Sequence, residues 1–164
     1  MKNILVPTDF TTDSVKMTMR LLNGLNEKVN VVFFHAFHHP FFYNDFIRSI
    51  PPYASLMTDE LRNSCRQLKD QYPESVGAVT FLFMKGDTVA LFRNFLDANA
   101  IDAIACLDDY NFKKVHKDSV NPIPLFKSAG KPMIQNSPLS HRLNKLVVNK
   151  KKLEFSLDSE MTYN

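Results

Sequence analysis

A chain of 164 residues, 45% hydrophobic and 23% charged, has the length and balance of one globular domain with a sizeable core. Net charge is +3, and residues 138–164 carry five Lys/Arg against three Asp/Glu, so the rest of the chain is nearly neutral. That argues against nucleic acid as the main partner, which requires a concentrated basic face, and no apolar run lasts long enough to span a bilayer.

The opening stretch, MKNILVPTDF, organises the rest of the chain. Ile4, Leu5 and Val6 form an unbroken apolar run, as in a strand buried on both faces, and Pro7 ends it because it has no N–H to donate. A polar turn, Thr8 to Thr12, leads into a helical pattern. A strand that begins at residue 3 and ends in an Asp-bearing turn suits the central strand of an open α/β sheet. Ligands of such sheets sit at the carboxyl ends of the strands, where Asp9 would stand.

Val15, Met19, Leu22 and Leu25 then share one helix face, with Thr11 or Thr12 as its cap and Gly24 as its stop. Val29 to Phe37 is a second, almost wholly apolar strand. Residues 38–55 hold many aromatics and three prolines without a clean period, and read as a long, partly packed loop with room for a short helical turn. Leu56, Leu61, Cys65, Leu68 and Tyr72 mark a second helix that Pro73 ends. Val76 to Met84 is a third strand. A third helix follows, capped by Asp87 or Thr88, with Val89, Phe92, Phe95 and Leu96 on one face. Ile101 to Leu107 is a fourth strand, residues 108–121 a polar loop, and Pro122 and Pro124 allow only a short helix. Lys131 to Gln135 is a short fifth strand.

Strands that alternate with helices imply right-handed crossovers and a parallel sheet. The expected domain is therefore residues 1–136, with 137–164 as a C-terminal extension. There, Leu153, Phe155 and Leu157 alternate with polar residues and residues 145–148 could form a partner strand, a pattern that suits a dimer arm. The start of the chain lacks the features of a signal peptide, so a cytoplasmic location is expected. Cys65 and Cys106 form no disulfide framework and read as structural thiols in a reducing compartment.

The run Ile4-Leu5-Val6-Pro7-Thr8-Asp9-Phe10-Thr11 resembles the start of the universal stress protein family. The second strand ending near His35, the Lys85-Gly86-Asp87 turn before a helix, and Ile101-Asp102-Ala103-Ile104-Ala105 extend the likeness over residues 1–136. It implies a five-stranded, open parallel α/β sheet of order 3-2-1-4-5 with helices on both faces, Rossmann-like and similar to adenine-nucleotide hydrolases. It also implies a homodimer, since family members often pair through the last strand.

One class of that family binds ATP through a glycine-rich loop after the fourth strand, because a backbone without Cβ can bring its N–H groups close to phosphates. In this chain Leu107 and Tyr110 stand at the first two glycine positions and Asp118 at the third, and only Ser119 matches. Bulky side chains and the charges of Asp108, Asp109 and Asp118 oppose a triphosphate. Asp9 matches the family's acidic contact to the nucleoside. The expectation is therefore a regulatory or protective protein of the class that does not bind ATP. It would have no cofactor and no catalysis, and would act through a homodimer and a protein partner not named by the sequence. The alternative is a divergent sensor of ATP or another adenine nucleotide that binds at Asp9 and the fourth-strand loop, with Asp9 and Ser119 as the candidate contacts.

Other clusters weigh less. His35, His38, His39 and Asp45 could hold zinc or iron, and with Phe41, Phe42, Tyr43, Phe46 and Tyr53 could make a small-ligand or metal module. A core His35 beside two solvent-facing histidines, and aromatics that cover the sheet, is the simpler reading. Asp108 and Asp109 are expected to point apart in a solvated loop. Helix capping accounts for Thr11 and Ser14 better than an activated hydroxyl. Lys113, Lys114, His116 and Lys117 read as a solvated basic face.

Overall fold

A computed structural model describes residues 1–23, 27–38 and 53–135. Its elements are β1 (Lys2–Pro7), α1 (Thr12–Leu22), β2 (Val29–Phe37), α2 (Tyr53–Leu56), α3 (Asp59–Gln71), β3 (Val76–Lys85), α4 (Val89–Ala98), β4 (Ala103–Ala105), β5 (Ser119–Val120), α5 (Ile123–Ser128) and β6 (Met133–Ile134). The Gly24 stop, residues 39–52 of the aromatic loop with His39 and Asp45, and the 137–164 extension lie outside the described residues.

The parallel strands run in the order β3-β2-β1-β4-β6, the expected order with β6 as the fifth parallel strand. β1 is central, paired with β2 on one side and β4 on the other. Ile4, Leu5 and Val6 are fully buried, as the unbroken apolar run requires. Each such side chain contributes about 1.5–3 kcal/mol when removed from water.

Two differences from the sequence reading bear on the site. The fourth strand is Ala103–Ala105 and not residues 101–107, because its neighbours β1 and β6 offer it only short ladders. The polar loop 108–121 contains a strand, since β5 pairs antiparallel with the end of β2, Ser119 opposite Phe37 and Val120 opposite Ala36. Two residues carry no periodic signal, so backbone pairing alone makes this strand.

The helices cover the sheet in two pairs, α1 beside α3 and α4 beside α5. Phe34 of β2 meets Phe92 and Phe95 of α4 and Phe126 of α5, with ring centres 5.2, 5.0 and 6.0 Å away. Its neighbour Phe33 stacks at 5.0 Å on Phe81 of β3, so successive residues of β2 serve separate contacts, as the strand period demands. The Thr58 hydroxyl caps α3 by accepting from Leu61 N–H, and Thr88 caps α4 by accepting from Leu91 N–H. Thr11 stands at the N-cap of α1 but makes no side-chain cap, contrary to expectation, because its hydroxyl is used elsewhere. Gly86 turns the chain after β3 at φ +127°, a conformation suited to glycine, and a Cβ there would meet Leu91 Cδ2 at 2.5 Å. Among the described residues no helix is long and apolar enough to cross a membrane.

Candidate functional site

The carboxyl end of β1 runs directly into the turn Thr8–Thr11. Thr8 N–H still donates to Phe34 O at 2.9 Å, so the turn starts in register with β2. Phe10 then takes φ 62°, a left-handed conformation that costs a residue with a side chain about 1–2 kcal/mol. Packing offsets that cost: the Phe10 ring lies 4.7 Å from His35 and stacks at 5.8 Å on Phe83, and its N–H donates to Thr8 Oγ1.

This turn places Asp9 with no exposed surface. Thr11 N–H donates to Asp9 Oδ1 at 3.1 Å and the Thr11 hydroxyl donates to the same oxygen at 2.6 Å. The other oxygen, Oδ2, accepts from the backbone N–H of Lys113 at 3.1 Å. A buried carboxylate must be satisfied from within, and here the chain satisfies it itself. Ser14 is also buried, its hydroxyl 3.1 Å from Thr8 Oγ1 and donating to Thr11 O, so it braces the turn.

The loop after β4 closes over this end of the sheet. Tyr110 is 9% exposed, and its hydroxyl is a buried polar group without a hydrogen-bond partner among the described residues. Burial first, and then the Asp9 carboxylate beside it, push the phenol far up from its ordinary value. Tyr110 is thus a neutral, bulky group packed where the resemblance places a glycine. Outside the closure, Lys113 Nζ pairs with Asp13 at 2.7 Å, which raises the lysine and lowers the carboxyl, and Arg20 pairs with Asp109 at 2.9 Å. Both pairs are solvent-exposed and worth little individually.

His35 joins β1, β2 and β5. Its Nδ1 lies 2.6 Å from Thr8 O and its Nε2 3.0 Å from Ser119 Oγ. A carbonyl can only accept, so Nδ1 carries the proton and donates. Nε2 of the neutral ring is then an acceptor, and the Ser119 hydroxyl donates to it. The ring is fully buried, flanked by Phe10, Phe37 and Phe112 at 4.7, 4.6 and 5.6 Å. Burial lowers its affinity for a proton; the Thr8 carbonyl and the charge of Asp9 oppose that effect, and His116 adds to it.

The two residues expected to contact a nucleotide, Asp9 and Ser119, therefore lie at the same end of the sheet but turn to different partners. Asp9 serves Thr11 and Lys113, whereas Ser119 serves His35. Asp108 and Asp109 do not form a pair: Asp108 accepts from Gln135 Nε2 at 2.6 Å, and Asp109 faces Arg20. The expected core position of His35 holds. Sequence reasoning missed the His35–Ser119 link and the Lys113 amide on Asp9, which join residues 84 and 104 positions apart. A lone histidine at a strand end was the single trace of either.

No protein-family model and no curated protein matches the sequence. Solved structures do. A hypothetical protein, PH0823, is 12% identical with a TM-score of 0.50, over 82% of this chain and 94% of its own. A universal stress protein family member from Burkholderia pseudomallei is also 12% identical, with a TM-score of 0.46 over 82% and 94%. A universal stress protein solved in complex with cAMP is 14% identical, with a TM-score of 0.44 over 83% and 97%. At these identities the likeness is one of fold. The strand order and parallel pairing described above define that fold, an open, parallel α/β sheet.

Proposed function

We propose that this chain is a universal-stress-protein-like regulatory or protective protein of the class that does not bind ATP. It acts in the cytoplasm as a homodimer, through contacts with another protein, and catalyses no reaction. The observation that carries this reading is the condition of Asp9. Its carboxylate is fully buried and hydrogen-bonded to Thr11 and Lys113, and Tyr110 is packed beside it. A nucleoside that reached Asp9 would have to displace both the Lys113 amide and the Tyr110 ring. Each costs binding energy that a ready-made cleft does not spend.

Calorimetric titration with Mg-ATP and then with adenosine tests it. Flat traces are expected for both, and heat that saturates in the micromolar range overturns the non-binding reading. Sedimentation of the full chain tests the other half: a dimer is expected, and a monomer at all accessible concentrations removes the homodimer. One observation favours the sensor reading instead. The buried Tyr110 hydroxyl meets no partner in hydrogen-bond geometry among the described residues, and a ligand could satisfy it.

A further inference from the structure

The His35 arrangement holds more than the sheet. β5 is two residues long, and it tethers the end of the 107–118 loop to the end of β2, while exposed side-chain pairs at Asp108, Asp109 and Lys113 and the Lys113 amide on Asp9 hold the rest. Its backbone anchors are the short ladder to Ala36 and Phe37 and the bond from His38 N–H to Asp118 O at 2.7 Å. The buried side-chain anchor of β5 itself is the Ser119 hydroxyl on His35 Nε2. The same loop supplies the Lys113 amide that satisfies Asp9.

This anchor depends on a protonation state. With Nδ1–H committed to the Thr8 carbonyl, a proton taken from solvent can enter only at Nε2. That turns Nε2 from acceptor into donor. The Ser119 hydroxyl must then rotate away and find another acceptor, and among the described residues Ser119 Oγ has no second partner. The resulting cation would also sit in a buried cage of Phe10, Phe37 and Phe112. The charged groups that face it are few. Asp9, from the turn after β1, attracts the cation but already accepts from Thr11 and Lys113. His116, from the loop, repels it, and His116 Nδ1 is 3.8 Å from Asp118. β3 presents Phe83 to Phe10 and Phe37. Moving β5 and its loop aside lets water reach His35, at far less cost than opening the central strands.

We propose that His35 is an acid-sensitive latch: protonation at Nε2 releases Ser119–Val120 and the 107–118 loop from the sheet and exposes Asp9. The mechanism needs no ligand and does not depend on the function proposed above. The central strands stay closed, because β1 and β2 are paired along six consecutive residues.

Amide hydrogen exchange on the full chain, with the ring of His35 followed by NMR, tests it. Between about pH 7 and about pH 5, the His38 and Lys113 amides, corrected for intrinsic rates, should lose protection. The loss should be about tenfold per pH unit, as uptake of one proton requires, and should track the His35 ring. The β1 amides should keep theirs. His116→Gln should leave the transition in place, and His35→Gln should abolish it. Three results overturn the latch: His35 titrating while both amides stay protected, His35 remaining neutral with the loop closed down to about pH 4.5, or a transition that follows His116 and vanishes in His116→Gln. If His35→Gln does not fold, the wild-type coincidence and His116→Gln still decide.

Discussion

The backbone amide of Lys113 lies 3.1 Å from Asp9 Oδ2, across 104 residues of chain. This bond closes the loop after β4 onto the turn after β1 and buries the carboxylate most exposed to ligands in the expected fold. Asp9→Ala would leave Thr11 N–H, the Thr11 hydroxyl and Lys113 N–H without their acceptor. We expect a loss of about 2–4 kcal/mol, since hydrogen bonds to a charged group each contribute about 1.5–3 kcal/mol and are not additive. Asp9→Asn should also destabilise, because its amide would oppose a donor with a donor at one of these positions. Urea denaturation measures both, and an unchanged midpoint for Asp9→Ala would contradict the geometry.

Tyr110→Phe removes a buried hydroxyl that has no partner among the described residues. An unsatisfied buried group costs about 1–3 kcal/mol, so this variant should be as stable as the parent or more stable by about 1 kcal/mol. A loss above about 1 kcal/mol would mean that the hydroxyl donates to Asp9 in solution.

Phe34 is fully buried among Phe92, Phe95 and Phe126. Phe34→Ala should cost about 3–5 kcal/mol, through lost transfer energy and the cavity left behind. The same change at the exposed Leu91 should cost far less, and chemical denaturation of the pair separates core from surface.

The stability of the whole chain should depend on pH through His35. Its proton affinity is lowered in the folded state by burial, so the unfolded state binds more protons below the ordinary value of 6.5. Stability is then complete above that value and declines as pH falls through the depressed value in the fold. Replacing His35 with Gln should flatten this part of the profile, as read from thermal midpoints.

Cys106 and Cys65 are both pushed up to about 11 by burial, with Asp108 and Asp109 adding to the effect at Cys106. Two units above the reference of 9.0 leave about one hundredth of the usual thiolate. Alkylation of the native chain near neutral pH should therefore be about a hundredfold slower than after unfolding. Rapid labelling of native Cys106 would show that its end of β4 opens.

Much of this fold follows from periodicity. The apolar runs of β1, β2 and β3, and the helix faces built on Val15, Leu68 and Phe92, are one-dimensional patterns, because a strand or helix buries residues at a fixed spacing. With alternation of strand and helix they determine a parallel sheet, and the replacement of glycines by Leu107 and Tyr110 is equally visible in the string. The site is another matter. Thr11 looks like a helix cap in sequence, but its hydroxyl turns to Asp9 because a buried carboxylate gains more from that donor than a helix end near solvent does. Asp9 and Ser119 look like neighbours in one ligand site, yet the fold gives them separate partners. Their partners, Lys113 and His35, come from distant chain positions, and hydrogen bonds of that kind leave no spacing to read. The sequence determined which residues would be buried and in what kind of sheet. Only the tertiary structure decided which buried polar groups would satisfy one another, because that choice depends on which loop closes over which strand end.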